Sequence, residues 1–197
     1  MKKQIAFFDF DGTITTKDTF LEFIKFCKGG FRFYLGMLLN VHYLVAFKIK
    51  LITNQKAKEK VLEYFFKGMS AEEFKALCHQ FSRQALPKLI RPKAVEEIKK
   101  LQAENYTIVI VSASPQNWIL PWADQMQIPV LASCLEIKQG KVTGKLDGKN
   151  CRGAEKVRRI TDRYVVADYE TIYAYGDSSG DFEMLKLAHK AHYKPFR

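Results

Sequence analysis

Three stretches of the chain are short, almost continuously apolar, and closed on their carboxyl side by acidic or small polar residues. Ile5-Ala6-Phe7-Phe8 runs into Asp9 and Asp11, residues 106–111 run into Ser112, and residues 172–175 run into Gly176-Asp177. Apolar runs without alternation predict strands buried on both faces, as in a parallel sheet covered by helices. Between the runs lie helical patterns. Pro92 suits the first turn of a helix whose Ala94, Val95, Ile98 and Leu101 share one apolar face, and Asn105 suits the left-handed residue that closes it. Ala154–Arg163 reads as another helix. This alternation predicts an α/β fold with a parallel sheet flanked by helices. Residues 135–138 and 141–146 around Gln139-Gly140 predict a small hairpin decorating that core.

Residues 17–89 carry helical patterns and no buried strand, and Ser70-Ala71-Glu72-Glu73 opens one of the helices with a capping box. The predicted organisation is a core of residues 1–16 and 90–197 interrupted by a helical insertion, 17–89. Within the insertion, residues 23–58 hold no Asp or Glu but seven basic residues, Lys25, Lys28, Arg32, Lys48, Lys50, Lys56 and Lys58. In residues 31–47 only Arg32, Gly36, Asn40 and His42 interrupt aliphatic and aromatic side chains. Three readings stay open: Tyr34, Leu38, Val41 and Val45 pack an interior; the run is an interfacial helix drawn to anionic headgroups; or it spans a membrane, for which it is short and rather polar.

Charge and composition narrow the classes. Across 197 residues, 32 Lys and Arg against 21 Asp and Glu give a net charge of +11, which attracts polyanions, anionic membranes or phosphorylated substrates. No zinc finger, RNP-like strand or helix-turn-helix pattern accompanies it, so nucleic acid is not the expected partner. At 47% hydrophobic residues, intrinsic disorder is excluded. Cys27, Cys78, Cys134 and Cys151 are scattered without a CxxC, which predicts reduced thiols in a cytoplasm. Met1-Lys2-Lys3 leads straight into the first strand, leaving no room for the apolar core of a secretory signal.

The candidate chemistry sits where the apolar runs end. Asp9-Phe10-Asp11-Gly12-Thr13 follows the first predicted strand, Ser112 the second and Asp177-Ser178-Ser179-Gly180-Asp181 the third. The carboxyl ends of parallel strands form the edge at which open α/β sheets bind ligands. A calcium loop counted from Asp9 would need a bidentate Glu at its twelfth position, which is Phe20. Taken singly, Ser112 also suits a turn or capping hydroxyl, and Asp177 an N-cap.

Taken together, these residues resemble the haloacid dehalogenase superfamily. Its motifs are an acidic pair after the first strand, a Ser or Thr after another, a Lys and a second acidic pair, matched here by Asp9 and Asp11, Ser112, Lys156, and Asp177 with Asp181. The helical insertion and Asn150-Cys151-Arg152-Gly153-Ala154-Glu155-Lys156-Val157 resemble the phosphoserine-phosphatase-like branch, subfamily IB, in which phosphatidylglycerophosphatase C is one characterised relative. The resemblance implies a Rossmann-like core with a helical cap, and magnesium-dependent hydrolysis of a phosphate monoester through an aspartyl-phosphate. In that scheme Asp9 is the nucleophile and Asp11 the general acid and base. Ser112 and Ala113 bind the phosphoryl group, and Lys156 offsets charge, with Arg152 as its substitute if Lys156 lies on a solvated face. Magnesium is held by Asp9, the Asp11 backbone carbonyl and Asp177, with Asp181 supporting through a water.

Asp18 corresponds to a residue facing the substrate in phosphoserine phosphatases, and equally suits a helix N-cap. Lys56, Lys58 and Lys60 stand where those enzymes carry an Arg for the substrate carboxylate, and lysine cannot form a bidentate fork. The substrate is therefore expected to be a lipid phosphate of the phosphatidylglycerophosphate kind or a small soluble phosphate, with phosphoserine disfavoured. Peripheral contact of the basic cap with the inner face of a membrane goes with the first of these. A phosphotransferase using the same intermediate, and a lipid- or partner-binding module on this scaffold, are the alternative functions.

Overall fold

The computed structural model describes residues 3–197; Met1 and Lys2, where the reading of the amino terminus begins, lie outside them. β1 (Lys3–Phe8) is followed by four helices, α1 (Thr19–Leu39), α2 (Val41–Lys48), α3 (Asn54–Phe66) and α4 (Ala71–Gln84). Then come α5 (Pro92–Ala103), β2 (Thr107–Pro115), α6 (Gln116–Ala123), β3 (Val130–Lys138), β4 (Lys141–Asp147), α7 (Ala154–Arg163), β5 (Tyr169–Gly176), α8 (Phe182–Lys186) and β6 (Lys190–Tyr193). The strands form one sheet in the order β4-β3-β2-β1-β5-β6. β1 pairs in parallel with β2 and β5, β2 with β3 and β5 with β6, while β4 alone is antiparallel to its neighbour.

The apolar runs have the cause that their pattern predicts. Alternate residues of β1 enter two different cores: Ala6 and Phe8 join Ile108, Ile110 and Tyr175 on one face, and Ile5 and Phe7 join Val109, Val111, Ile172 and Ala174 on the other. Burial on both sides leaves no position for a polar residue in the central stretch of each strand, so the polar groups that follow it gather at the carboxyl edge. The helix over Pro92–Ala103 forms as read, with Ala94, Ile98 and Leu101 buried and Asn105 left-handed at φ 63°.

Two parts of the fold differ from the sequence reading. The hairpin forms, with Leu135 opposite Leu146 and Ile137 opposite Val142, but it is part of the main sheet and no mere decoration of the core. β3 is a core strand, in register with β2 through Ile110 opposite Val130 and Ser112 opposite Ala132, and its far half carries β4. β4 then grips the helical insertion: Gly68 N–H donates to the Val142 carbonyl at 2.9 Å, Val142 N–H to Met69 at 2.9 Å and Ala71 N–H to Gly140 at 2.8 Å. The second difference concerns Tyr34, Leu38, Val41 and Val45, which do not pack an interior. They are 63%, 66%, 46% and 50% exposed, because the opposite side of the helix, where Phe33 and Gly36 are buried, meets Tyr64 and Phe65 of α3 at Gly36. The run is also broken: α1 stops at Leu39, Asn40 separates it from α2, and Gly29 (φ 75°, ψ 163°) interrupts α1 earlier. Among the described residues, no helix is long and apolar enough to cross a membrane.

The insertion leaves and rejoins the sheet at one place. Thr15 and Ile90 form an antiparallel bridge, Thr16 N–H donates to Leu89 at 2.7 Å, and Arg91 N–H donates to Ile14 at 2.8 Å. The Arg91 guanidinium adds a bond to the Thr15 carbonyl at 3.1 Å.

Candidate active site

A cavity of about 430 Å³ opens at the carboxyl edge of the sheet, between the ends of β1, β2 and β5 and the helical insertion. Asp9, one residue past β1, forms its floor and is 6% exposed. The backbone is set there by Asp9 N–H donating to the Tyr175 carbonyl at 2.9 Å. Lys156, in the first turn of α7 and 1% exposed, donates to Asp9 Oδ1 at 2.6 Å, Asp181 Oδ1 at 2.7 Å and the Val111 carbonyl at 2.6 Å. One ammonium thus uses its three protons on three separate parts of the sheet edge. Thr13 Oγ1 donates to Asp9 Oδ2 at 3.1 Å.

Burial pushes the Asp9 carboxyl up to about 7 against the pull of Lys156, with the charges of Asp181 and Asp11 adding to the rise. For Lys156 itself burial works downward, but Asp9 and Asp181 outweigh it and hold the ammonium above the ordinary lysine range. Burial likewise raises Asp181, yet Lys156 and the Ser178 hydrogen bonds win and hold it low. Asp181 Oδ2 accepts from Ser178 N–H and Oγ–H, each at 2.9 Å, and from Asp177 N–H at 3.2 Å. Asp177 is raised, by burial first and Asp181 next, although Arg197 donates to its Oδ2 at 2.5 Å.

Asp11 lines the same cavity on different supports. Its Oδ1 accepts from Thr19 N–H at 2.6 Å and Thr19 Oγ1 at 2.5 Å, and its Oδ2 from Ser112 Oγ at 3.3 Å. Trp118 Nε1 donates to Thr19 Oγ1 at 3.0 Å, so the hydroxyl is fixed from behind. Gly12 turns the loop at φ 78°, and a side chain there would run into the Asp177 carboxylate. The loop and the end of β5 therefore approach each other as only glycine allows.

The sequence-derived residues converge, with distinctions. Asp9, Asp177 and Asp181 each bring one carboxylate oxygen within 4.8 Å of the others, while the Asp11 side chain lies outside that cluster on Thr19 and Ser112. Ser112 is wholly buried behind Asp11, and its neighbours Ala113 and Ser114 line the cavity. Lys156 touches Asp9; Arg152 stands in the wall and donates to Ser179 Oγ at 3.1 Å. Asp18 caps α1 by accepting from Phe20 N–H at 2.9 Å, as its N-cap reading has it, and it also lines the cavity. Lost hydration, then the Asp11 charge, push its carboxyl up to about 6.

Thr13, Thr19 and Trp118 carry contacts that the sequence did not assign, and of Lys56, Lys58 and Lys60 it is Lys58 that lines the cavity. Lys58 reaches from α3 to donate to the Ala113 carbonyl at 2.8 Å, and burial lowers its pKa against Asp18 and Asp11. Thr13 was within reach of the pattern, as part of the Asp9–Thr13 string. Thr19 and Trp118 lie 99 positions apart and give no local signal.

Comparison with known proteins agrees with this architecture. The sequence profile of the haloacid dehalogenase-like hydrolases matches residues 6–186. Protein CicA of Caulobacter vibrioides is 35% identical over 194 residues, covering 96% of this chain and 85% of CicA. Among solved structures, a protein with unknown function from Bordetella pertussis Tohama I superposes with a TM-score of 0.84 at 20% identity, over 97% of this chain and 89% of its own. A substrate-bound phosphoserine phosphatase superposes at 0.70 with 17% identity, over 98% and 86%. The two structures share the fold. With a profile match running from β1 into α8 and a relative aligned along nearly the whole chain, the protein belongs to the haloacid dehalogenase-like hydrolase family.

Proposed function

We propose that this hydrolase is a magnesium-dependent phosphatase that cleaves a phosphate monoester through a phosphoryl group carried on Asp9. Residues 17–89 serve as the cap and residues 1–16 with 90–197 as the core. The carrying observation is the pair of carboxylates on one cavity: Asp9 buried on Lys156, and Asp11 two residues on, fixed by Thr19. The residues fit a divalent cation, because Asp9, Asp177 and Asp181 offer hard oxygen donors from three converging carboxylates, and crowding contributes to the raised pKa of Asp9 and Asp177. Magnesium bound there, with the Asp11 backbone carbonyl as a further donor, would supply the positive charge that lets an anionic phosphate approach a carboxylate.

The chain's own residues account for the proton and phosphoryl transfers. An Asp9 carboxylate oxygen attacks phosphorus while the bond from phosphorus to the leaving oxygen breaks. Asp11 gives that oxygen its proton; Thr19 satisfies Oδ1, leaving Oδ2, which accepts from Ser112 Oγ at 3.3 Å, to carry it. Water then attacks the phosphorus on Asp9, Asp11 takes the water's proton, and inorganic phosphate and free Asp9 result. Lys156 stays charged throughout and neutralises Asp9 and Asp181. The substrate is a phosphorylated small molecule or a lipid phosphate, in keeping with the net charge of +11. The four cysteines, all unpaired, suit a reducing cytoplasm.

Asp9→Asn is expected to lower phosphate release from p-nitrophenyl phosphate at least about 10³-fold with an unchanged circular dichroism spectrum. Wild-type protein quenched during turnover should yield a phosphorylated peptide containing Asp9. Asp11→Asn should cost about 10²-fold or more on alkyl phosphates and less on the activated aryl ester. Near-normal turnover by Asp9→Asn rules the scheme out, and capture of the phosphoryl group by added alcohol in place of release would make the enzyme a phosphotransferase.

A further inference from the structure

The outer side of α1 and α2 is an apolar surface that stays open to solvent. Phe31, at 82% exposed, meets Tyr34 and Leu35 at helical spacings of three and four residues, as these do Leu38, and Val41 and Val45 of α2 with Ile49 just past its end continue the surface. Soluble monomers rarely expose so many large apolar side chains together without a partner. The rim is cationic: Arg32, Lys48, Lys50 and Lys56 are exposed, and residues 23–58 contain no carboxylate side chain at all. A protein partner would meet the apolar residues equally well, but a rim of one sign with no acid fits an extended anionic plane.

The same surface opens toward the cavity. Phe47, Leu51 and Ile52, with Lys50 and Lys56, line an open groove that ends at Asn54, and Asn54 also lines the wall of the Asp9 cavity. An amphiphile held by its tail in this groove would present its head group to the carboxylates. We propose that the outer face of α1–α2 docks on an anionic lipid bilayer, placing the groove and the cavity mouth at the headgroup level. Docking needs nothing from the phosphatase reading; that a phosphate borne by a lipid is then the substrate rests on it.

The test separates the two. Full-length protein carrying Asp9→Asn, which cannot alter the lipid, should co-sediment with vesicles of equimolar phosphatidylglycerol and phosphatidylcholine and not with phosphatidylcholine alone. Raising the salt to about 1 M should release it, since the screening length then shrinks to about 3 Å. The double variant Phe31→Ser/Leu38→Ser alters exposed side chains only and should bind the same vesicles about tenfold or more weakly. Arg32→Glu/Lys48→Glu, at exposed residues that line neither the groove nor the cavity, should do likewise through charge. On p-nitrophenyl phosphate both double variants, with Asp9 retained, should match wild type. Equal binding to neutral and anionic vesicles, no binding to either, or binding that both double variants retain overturns the proposal. So does a wild-type dimer that Phe31→Ser/Leu38→Ser dissociates in sedimentation velocity, which would assign the face to a second copy. Loss of phosphatase activity across all substrates with docking intact would sink only the phosphatase reading.

Discussion

The floor of the cavity and the outer face of α1–α2 stand at opposite extremes of partnership. On the floor, Lys156, Asp9 and Asp181 are nearly inaccessible and each has its charge answered by a named group at 2.6–2.7 Å. On the outer face, Phe31 and Leu38 keep most of their surface in water. A charge without a partner is costly in the interior, so the floor is self-contained; apolar surface in water costs less and more diffusely, so the face can wait for an external partner. The difference teaches that one small enzyme can pair its buried charges entirely within the chain while leaving an apolar face open to solvent.

The sharpest way to break the contrast is to remove the shared cation. Lys156→Met would leave the Asp181 carboxylate buried without its counter-charge, beside an Asp9 carboxyl driven to hold its proton, and is expected to destabilise the fold by about 3–5 kcal/mol in urea unfolding at neutral pH. A loss under about 1 kcal/mol would mean that water already screens the floor. A smaller effect should follow pH. Asp9 has a folded pKa of about 7 against an ordinary value of 3.8, so the folded state holds a proton that the unfolded state releases. Its contribution to stability therefore declines as pH rises from about 4 to 7. Magnesium, binding the ionised carboxylates, should raise the Tm by a few °C at about pH 7.5 and by less at about pH 5. An equal rise at both would show that the cation does not depend on Asp9. The two faces of one helix give the smallest and most direct comparison. Gly36→Ala drives a methyl into Phe65 and Tyr64 and should cost about 1–2 kcal/mol after its gain in helix propensity, while Leu38→Ser, two residues on and outward, should change stability by less than about 0.5 kcal/mol.

The strand ends were readable because acids and small polar residues have few places to stand in such a sheet. A parallel strand buried on both faces cannot hold an acid, so Asp9, Ser112 and Asp177 announce the edge of the sheet as well as its chemistry. Lys156 was readable only through the family resemblance, since a helix lysine in a chain this basic carries no signal of its own. β3 escaped as a core strand because Ser133 and Cys134 interrupt its apolar run, Ser133 being buried on Asn150. β6 escaped because Lys190–Tyr193 is an edge strand with little to bury. The outer face of α1–α2 was ambiguous for a different reason: with apolar residues on both sides of the helix, the pattern does not say which side finds α3. That choice is made by Gly36, whose missing side chain lets α3 approach on one side alone.

The paired chain crossings at Thr15–Thr16 and Leu89–Arg91 have a mechanical consequence. A segment hung from a single strand can swivel about many bonds, whereas one hung from two strands bonded side by side turns about essentially one axis, as a door on its jamb. That axis begins three residues after Gly12, so any swing of the insertion pulls on the loop that carries Asp11. On the far side, Gly68, Met69 and Ala71 are bonded to the β3–β4 hairpin, so the insertion is tied at both ends and its swing about that axis is restrained.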